Sequence, residues 1–384
     1  MRSCLRIPRI FIPRDGKTEW SVIASDRYLQ DRTYWERVET RVGDSPSTLR
    51  FILPEFFRDE ADGERLKLLR ENMYIALEED HLVKLTRGFV LTERVLPAGV
   101  RRGIVAAIDL EAYSSEHGER APVRAAEEID RAAMKAHLEA RKIAPLEFPH
   151  AVALYRDKRD KVMRGLLKED LEQLYDFELM EGGGRVRGFF IPDYIAHDVA
   201  LELQSRGDCL AVIEANDAVA AAKAHWEVLK STIPEGERRN HPARFTLVEL
   251  VNAYSEAVAM EPVHRAVKGI EPEAFCDFLM RNLKCKRKGN VIYPDLPTTA
   301  ANTAKIDALI GRFVRANTGT IEYVHGEEVL LAVAGEADCA GVVLKSIDKD
   351  DFFDEVEAGR SFPKHTFALD EARYHLEGRE ICYD

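Results

Sequence analysis

The sequence predicts an α/β or α+β protein in which mixed sheets carry flanking helices. Three observations lead there. Short apolar runs bounded by Gly and Pro alternate with longer segments whose apolar residues recur at helical spacing. In the C-terminal third this alternation becomes regular, helix then strand then helix. The composition is that of a folded chain, with 46% hydrophobic and 32% charged residues over 384 positions. At roughly 100–200 residues per domain the length suits two or three domains. Soft boundaries near 150 and 270 divide the chain into an N-terminal α/β part (1–150), a central part (151–270) and a C-terminal α/β part (271–384).

Each element has its own signal. Trp20–Ala24 and Ser47–Leu53 read as strands, the second stopped by Pro54. Between them Trp35, Val38 and Val42 give residues 32–42 a helical face, and 63–80 repeats the pattern. Residues 88–95 and 103–110 form a hairpin across Pro97, Ala98 and Gly99. The charged segment 119–149 is helix-rich and ends extended. A strand at 150–155 precedes a helix over 160–173. Gly182, Gly183 and Gly184 mark a strand-turn-strand over 178–190, followed by a helix at 193–205. The strand 209–213 runs into a helix over 218–230 that propensity alone supports. Residues 245–260 form a long apolar segment. Helices at 299–316, 326–335 and 349–358 then alternate with strands at 320–324 and 341–345.

Several function classes are disfavoured. The net charge of −12 repels nucleic acid, and the one dense basic cluster, Lys284–Lys288, reads as a solvated turn before a strand. No apolar run is long enough to span a bilayer, so no membrane partner is expected. The basic N-terminus is broken by Pro8, Arg9 and Pro13 and lacks a secretory h-region, so the cytoplasm is the expected location. The six cysteines form no C-x-x-C pair and suit a reducing compartment. Walker A, H-E-x-x-H and G-x-S-x-G signatures do not occur.

Four local patterns could carry chemistry. The triple glycine suits a hairpin turn better than a phosphate loop, because Arg187 occupies the last position that G-x-G-x-x-G requires for Gly. The strand-turn-helix at 210–230 places Glu214, Asn216 and Asp217 where α/β proteins bind ligands. Glu214 and Asp217 could hold a cation or act as base, whereas the structural alternative makes Asn216 or Asp217 the helix cap. Glu261, His264 and Arg265 form an extended segment that suits an anion, or a surface ion pair. Lys364 and His365, with Arg373, could close over an anion or simply face solvent.

The ordered set of segments resembles a bacterial family known as domain of unknown function 1015. The resemblance rests on Trp20–Ala24 with Tyr34 and Trp35, Gly43–Arg50, Ala107–Tyr113, Arg124–Glu127 and Ala144–Glu147 with Pro149 and His150. It continues through Tyr175–Met180 with the triple glycine, Ala222–Trp226, His241–Arg244, Glu261–Arg265, Tyr323–Glu328, Ile347–Lys349 and Thr366–Phe367. That family carries a G-D-G-N-H-S or D-G-H-H-R motif similar to that of ParB-like proteins, some of which bind nucleotides and some of which phosphorylate free serine. A ParB-like strand-turn-helix in the central part is therefore implied, and with it a small-molecule phosphotransferase using ATP or another nucleotide with Mg²⁺. In this chain the motif reads Glu214, Ala215, Asn216, Asp217, Ala218, and only Asn216 is unchanged. The chain is thus a divergent member with a degenerate motif. Exchanging Gly for Ala215 restricts positive φ, and exchanging His for Asp217 puts an anion near phosphate.

On this resemblance Glu127, Glu214 and Asp217 are the catalytic candidates, with Glu214 and Asp217 also holding metal. Arg124, Asn216, His264, Arg265 and Lys364 are the substrate- or phosphate-binding candidates. Glu127, Glu214, His264 and Lys364 are expected to line one cleft, with Mg²⁺ or an arginine among the carboxylates. A small molecule is the expected partner, nucleic acid is not, and a homodimer is compatible with the sequence. Two functions stay open: nucleotide-dependent phosphoryl transfer to a small hydroxylated metabolite such as free serine, and ligand sensing or partner binding by a chain that kept the fold and lost the chemistry.

Overall fold

The computed structural model describes residues 4–23, 31–53, 63–96, 99–149, 151–369 and 374–382. The chain forms two compact units: Met1–Ala125 with Ile129–Val258 and Glu371–Asp384, and Ala126–Glu128 with Ala259–Asp370. The mixture of helices with mixed sheets is the α/β architecture that the sequence predicts.

The larger unit is built on an eleven-stranded mixed sheet. Helices α1 (Arg32–Val42) and α2 (Gly63–Glu78) precede its longest hairpin, β1 (Leu82–Leu96) with β2 (Gly99–Asp109). Next come β3 (Val123–Ala125), α3 (Arg131–Ile143), β4 (Val152–Tyr155), β5 (Gln173–Glu178) and β6 (Arg185–Pro192). The unit continues with α4 (Asp193–Ser205), β7 (Leu210–Glu214), α5 (Asn216–Leu229) and β8 (Phe245–Asn252). The spatial order is β5-β6-β1-β2-β8-β4-β7-β3, with Tyr113–Ser114 beyond β3. Three pairs are parallel, β4 with β8, β3 with β7 and Tyr113–Ser114 with β3, while β4 and β7 run antiparallel.

Both faces of this sheet are covered. Alternate residues of β2 show it: Ile104, Ala106 and Ile108 pack with Trp226, and Val105 and Ala107 pack with Trp20 and Trp35 on the other side. A strand covered twice must be apolar throughout, which is why β2 reads as a continuous run instead of an alternation. Each large side chain buried in this way contributes about 1.5–3 kcal/mol.

The strand β8 takes the constraint furthest, because all eight of its residues are buried and Thr246, Glu249 and Asn252 are polar. Each has partners. Glu249 accepts from Arg101 Nη2 at 3.0 Å and from Thr92 Oγ1 at 2.6 Å. Only glycine fits at 103, since a Cβ there would lie 2.1 Å from Glu249 Oε1. Thr246 donates to Glu147 at 3.0 Å. Glu147 also accepts from Arg141, from Arg379 Nε at 3.0 Å and from the Leu247 N–H at 3.0 Å. Asn252 brackets residue 157, accepting from Asp157 N at 3.2 Å and donating to Asp157 O at 2.9 Å.

Several sequence expectations change. The expected strand 47–53 is a single helical turn, Thr48–Arg50, because the Ser47 hydroxyl accepts from the Leu49 N–H and caps it. The strand expected from Trp20 narrows to Val22–Ile23, which pairs with Tyr374–His375. Ala24, Pro97, Ala98, His150 and Arg373 lie outside the described residues. The helix expected over 160–173 stops at Leu166, where its buried face of Val162, Met163 and Leu166 ends. The triple glycine is the turn between β5 and β6, with Gly182 and Gly184 at positive φ and Arg94 donating twice to Gly183 O. The apolar segment 245–260 is β8 followed by irregular chain.

The smaller unit holds a six-stranded sheet. Its strands are β9 (Met260–Lys268), β10 (Cys285–Lys288), β11 (Val291–Pro294), β12 (Thr320–His325) and β13 (Cys339–Val342), with Phe367–Leu369 paired to the start of β9. Helices α6 (Pro272–Asn282) and α7 (Ala300–Asn317) cover one face through Phe275, Leu279, Ile306 and Ile310 against Val267, Ile292 and Val342. The Thr299 side chain caps α7 by accepting from Asn302 N. The basic cluster spends its charge on ion pairs, Lys284 with Asp295 and Arg287 with Glu273. All six cysteines are free. Among the described residues no helix is long and apolar enough to cross a membrane.

Two carboxyls give opposite pH signatures. Burial alone would raise Glu147, but Arg141 and Arg379 outweigh it and hold the group below its usual range. The unfolded chain therefore takes up this proton first, and stability falls as pH drops through the folded value. Replacing Glu147 with Gln leaves two buried arginines poorly compensated and should cost on the order of 3–5 kcal/mol in chemical denaturation. Glu377, which accepts from Tyr175, is pushed by burial from 4.5 to about 7. Here the folded chain holds the proton longer, so stability should decline as pH rises from about 4.5 to about 7. Denaturation of Glu377→Gln across that window should show a flatter profile.

Candidate functional site

In the larger unit the site grows from two neighbouring parallel strands. Arg124 of β3 stands opposite Ala211 of β7, so both strands point their C-terminal ends the same way. Beyond β7 the chain turns through Ala215 at φ 57°, ψ 34° and enters α5 at Asn216. The left-handed conformation is the one for which the resembled motif supplies glycine, and this chain adopts it with alanine. Ala215 occupies the capping position and has no side chain to cap with, so Asn216 and Asp217 are the first two helical residues, not the cap. Helix α3 starts nearby, capped by Asp130, whose Oδ1 accepts from Ala132 N and Ala133 N. Asp217 Oδ1 accepts from Asp130 N at 2.8 Å and ties the two helix starts together. Helices α3 and α5 pack against each other. Two helix N-termini thus lie side by side, with the Asp130 and Asp217 carboxylates over them.

Two side chains, one on β3 and one on α5, carry polar groups that need partners. Arg124 is fully buried, at 0% exposure. Its Nη1 donates to Glu116 O at 2.7 Å and Ser114 Oγ at 3.3 Å, while Nε and Nη2 have no hydrogen-bond partner among the described residues. Burial pulls the Arg124 guanidinium below its usual pKa. Asn216 is 5% exposed, and its Oδ1 likewise has no hydrogen-bond partner among the described residues. Unmatched buried donors cost about 1–3 kcal/mol each, so a bound anion would relieve Arg124. The buried Tyr113 hydroxyl reports the local charges. Burial raises its pKa, Ser115 and Arg124 oppose, and Asp217 adds to the rise. Glu214 ends β7 half-buried.

In the smaller unit the remaining candidates meet around β9. Glu127 pairs with Phe362 in a short bridge, held by Phe362 N to Ala126 O at 2.7 Å and Glu128 N to Phe362 O at 2.8 Å. Arg265, also at 0% exposure, is fully committed: Nε and Nη2 donate to Asp307 at 2.9 Å each, and Nη1 donates to Val263 O and His365 O. It therefore braces the turn that carries Lys364. His264 is buried and its pKa is lowered by burial, with Glu327 opposing. Its Nδ1 accepts from Leu344 N at 3.2 Å, so the neutral ring carries its proton on Nε2. Tyr323 lies opposite Arg265 on β12, with its ring 4.4 Å from that of His365. Partial burial raises the Tyr323 hydroxyl, and Arg265, Asp307, Glu127 and Lys364 all act on it. Of these, the Arg265 guanidinium lies over the Tyr323 ring, 5.0 Å from its centre.

Arg124, Glu214, Asn216 and Asp217 belong to the larger unit, and Glu127, His264, Arg265 and Lys364 to the smaller. Asp130, Tyr113, Asp307 and Tyr323 were not among the site candidates, although Tyr113 and Tyr323 end or open matched segments. Asp130 carried a readable signal, an Asp directly before an apolar-periodic segment. The other three acquire their roles only through contacts between distant segments, Asp307 from α7 and the two tyrosines from strands. Among the described residues no group of three or more His, Cys, Asp or Glu is arranged to hold a metal ion.

The family model described as "Protein of unknown function (DUF1015)" matches residues 9–349. No curated protein matches the chain. Solved structures similar to it include a free serine kinase in complex with AMP, at 11% identity over 71% of this chain and 87% of that one, with a TM-score of 0.38. A conserved hypothetical protein from Pyrococcus furiosus is 10% identical over 72% and 95% of the two chains, with a TM-score of 0.37. SbnI from Staphylococcus aureus is 7% identical over 71% and 82%, with a TM-score of 0.35. All three TM-scores are too low for a common fold to follow from them.

The turn makes a direct prediction. Because Ala215 holds a conformation that costs an L-residue about 1–2 kcal/mol, Ala215→Gly should stabilise the protein by about 1 kcal/mol after the extra freedom glycine brings to the unfolded chain. Thermal denaturation of the single variant measures it, and an unchanged or lower midpoint counts against the left-handed turn.

Proposed function

The chain belongs to the DUF1015 family, and from that premise we propose that it binds a nucleotide through its phosphates and transfers a phosphoryl group to a small hydroxylated metabolite such as free serine. One observation carries the reading. Arg124 keeps two buried guanidinium donors without hydrogen-bond partners on β3, the strand parallel to β7. Phosphate oxygens would satisfy such donors, and a planar fork suits them in pairs. The ParB-like motif supports the same place, since its unchanged residue, Asn216, is buried at the first position of α5.

The proposed roles follow from charge and position. Arg124 and Asn216, with the first turn of α5, hold phosphate. Glu214 and Asp217 offer the hard oxygen donors that Mg²⁺ accepts, and their number suits a metal completed by phosphate oxygens and water. Bound Mg²⁺ would neutralise phosphate charge during transfer. Glu214 is the carboxylate proposed as base toward the acceptor hydroxyl. In the smaller unit, taken by itself, Glu127 is proposed as a base, Lys364 to meet an anion and His264 to act as a neutral Nε2–H donor, with Arg265 acting through the turn it braces.

A second reading, ligand binding without turnover, is favoured by Asp217. Where the resembled motif has a His that could donate, this chain has a carboxylate engaged by the Asp130 N–H.

Two measurements test these readings. Nucleotide binding followed by calorimetry should weaken by about tenfold or more in Arg124→Met, the loss expected for hydrogen bonds to a charged group. Equal affinity in the variant removes Arg124 from the site. Nucleotide consumption with free amino acids and sugars as acceptors then separates the two readings. Restoring the motif with Glu214→Asp, Ala215→Gly, Asp217→His and Ala218→Ser should raise turnover well above the native chain if the divergence silenced catalysis. Equal turnover in the two proteins makes Glu214 and Asp217 working residues. A folded restored protein that binds no nucleotide overturns the phosphotransferase reading.

A further inference from the structure

The larger unit carries a second polar cleft at the other edge of its sheet. Glu214, at the end of β7, lies opposite Val152 at the start of β4. The antiparallel pairing therefore puts the end of β4 beside the start of β7, away from the Ala215 turn. There the loop after β4 and the residues before β7 enclose a cleft of about 340 Å³. That volume suits on the order of ten water molecules. Every side chain lining it is charged, five cations against two carboxylates, in a chain whose net charge is −12.

The cations are held on a fixed frame. Asp157 is 1% exposed and spends its carboxylate inward: Oδ2 accepts from Val162 N at 3.1 Å, and Oδ1 lies 3.0 Å from Arg206 Nη1. Asn252, at the end of β8, grips both the Asp157 backbone and Asp160 Oδ1, the latter at 3.0 Å. Asp160 sits at φ 50°, so the loop turns sharply between Arg159 and Lys161. Arg206 is oriented by Asp157 and by Glu202 at 2.8 Å. By contrast Arg159 and Lys161 are exposed and make no ion pair among the described residues.

We propose that this cleft binds a small phosphorylated anion, at a site separate from the Arg124 corner. Five cationic side chains and two carboxylates line the cleft, so recognition is by charge density. Phosphate supplies several oxygens in a small volume and matches guanidinium forks and ammonium points together. The size of the ligand follows from the surrounding field. The acidic remainder of the chain repels a long polyanion, whereas screening over about 8–10 Å leaves a compact one governed by the nearby cations.

Calorimetry of the full chain with inorganic pyrophosphate at low salt tests the proposal. Pyrophosphate should bind, and Arg159→Ala combined with Lys161→Ala should weaken it by about tenfold or more. Both residues are exposed, and circular dichroism confirms that the variant keeps its fold. Arg124→Met should leave this binding unchanged, which separates the cleft from the proposed nucleotide corner. No binding to the native chain, equal affinity in the double variant, or a loss caused instead by Arg124→Met overturns the proposal. Citrate binding as tight as pyrophosphate, and equally sensitive to the double variant, overturns the assignment to phosphate.

Discussion

A strand with no exposed residue cannot carry a polar side chain unless that side chain finds a partner. In this protein β8 has three, and each organises a different region. Thr246 reaches the buried Glu147 with its two arginines, one of them Arg379 from the C-terminal segment. Glu249 holds Arg101 and Thr92 across the β1–β2 hairpin. Asn252 fixes the loop after β4. Leaving any of these groups unpaired in a low-dielectric interior would cost several kcal/mol, a sizeable part of a typical domain's stability. The pairings thus make the register of β8 a matter of polar satisfaction as well as apolar packing.

The same sheet explains why polar corners arise at both of its edges. Ligand sites in open sheets gather where parallel strands end and their helices or loops diverge. Here β3 and β7 end at one edge, while β4 and β8 end at the other, because β4 and β7 run antiparallel between them. At the first edge the groups that would meet an anion are helix N–H donors and a buried arginine. At the second edge they are side-chain cations on a braced loop. The two edges therefore favour anions by different means.

In the smaller unit Arg265 illustrates how a residue type can mislead. A His-Arg pair in an extended segment suggests anion recognition, yet Arg265 uses all of its bonding groups within the protein. A guanidinium with no exposure and a bidentate carboxylate partner is a structural cross-link. Its influence on Lys364 runs through the His365 carbonyl.

The sequence by itself determined the class of fold, the long helices and most of the strands, because their signals are local. The bounds 193–205 were legible from periodicity alone, and the 182–184 turn from its glycines. It also marked the strand-turn-helix around Asn216 and gave the family through an ordered set of short matches. It misjudged 47–53, where one serine hydroxyl converts an apolar run into a helical turn, and 160–173, where the buried face ends early. Only the tertiary structure decided which polar residues are committed. Arg124, Arg265 and Arg159 look alike as letters. One is buried with donors unmatched, one is buried and fully bonded, and one is exposed beside a cleft. The difference lies in partners brought from distant positions by strand pairing, and in the water that burial removes, neither of which a linear pattern encodes.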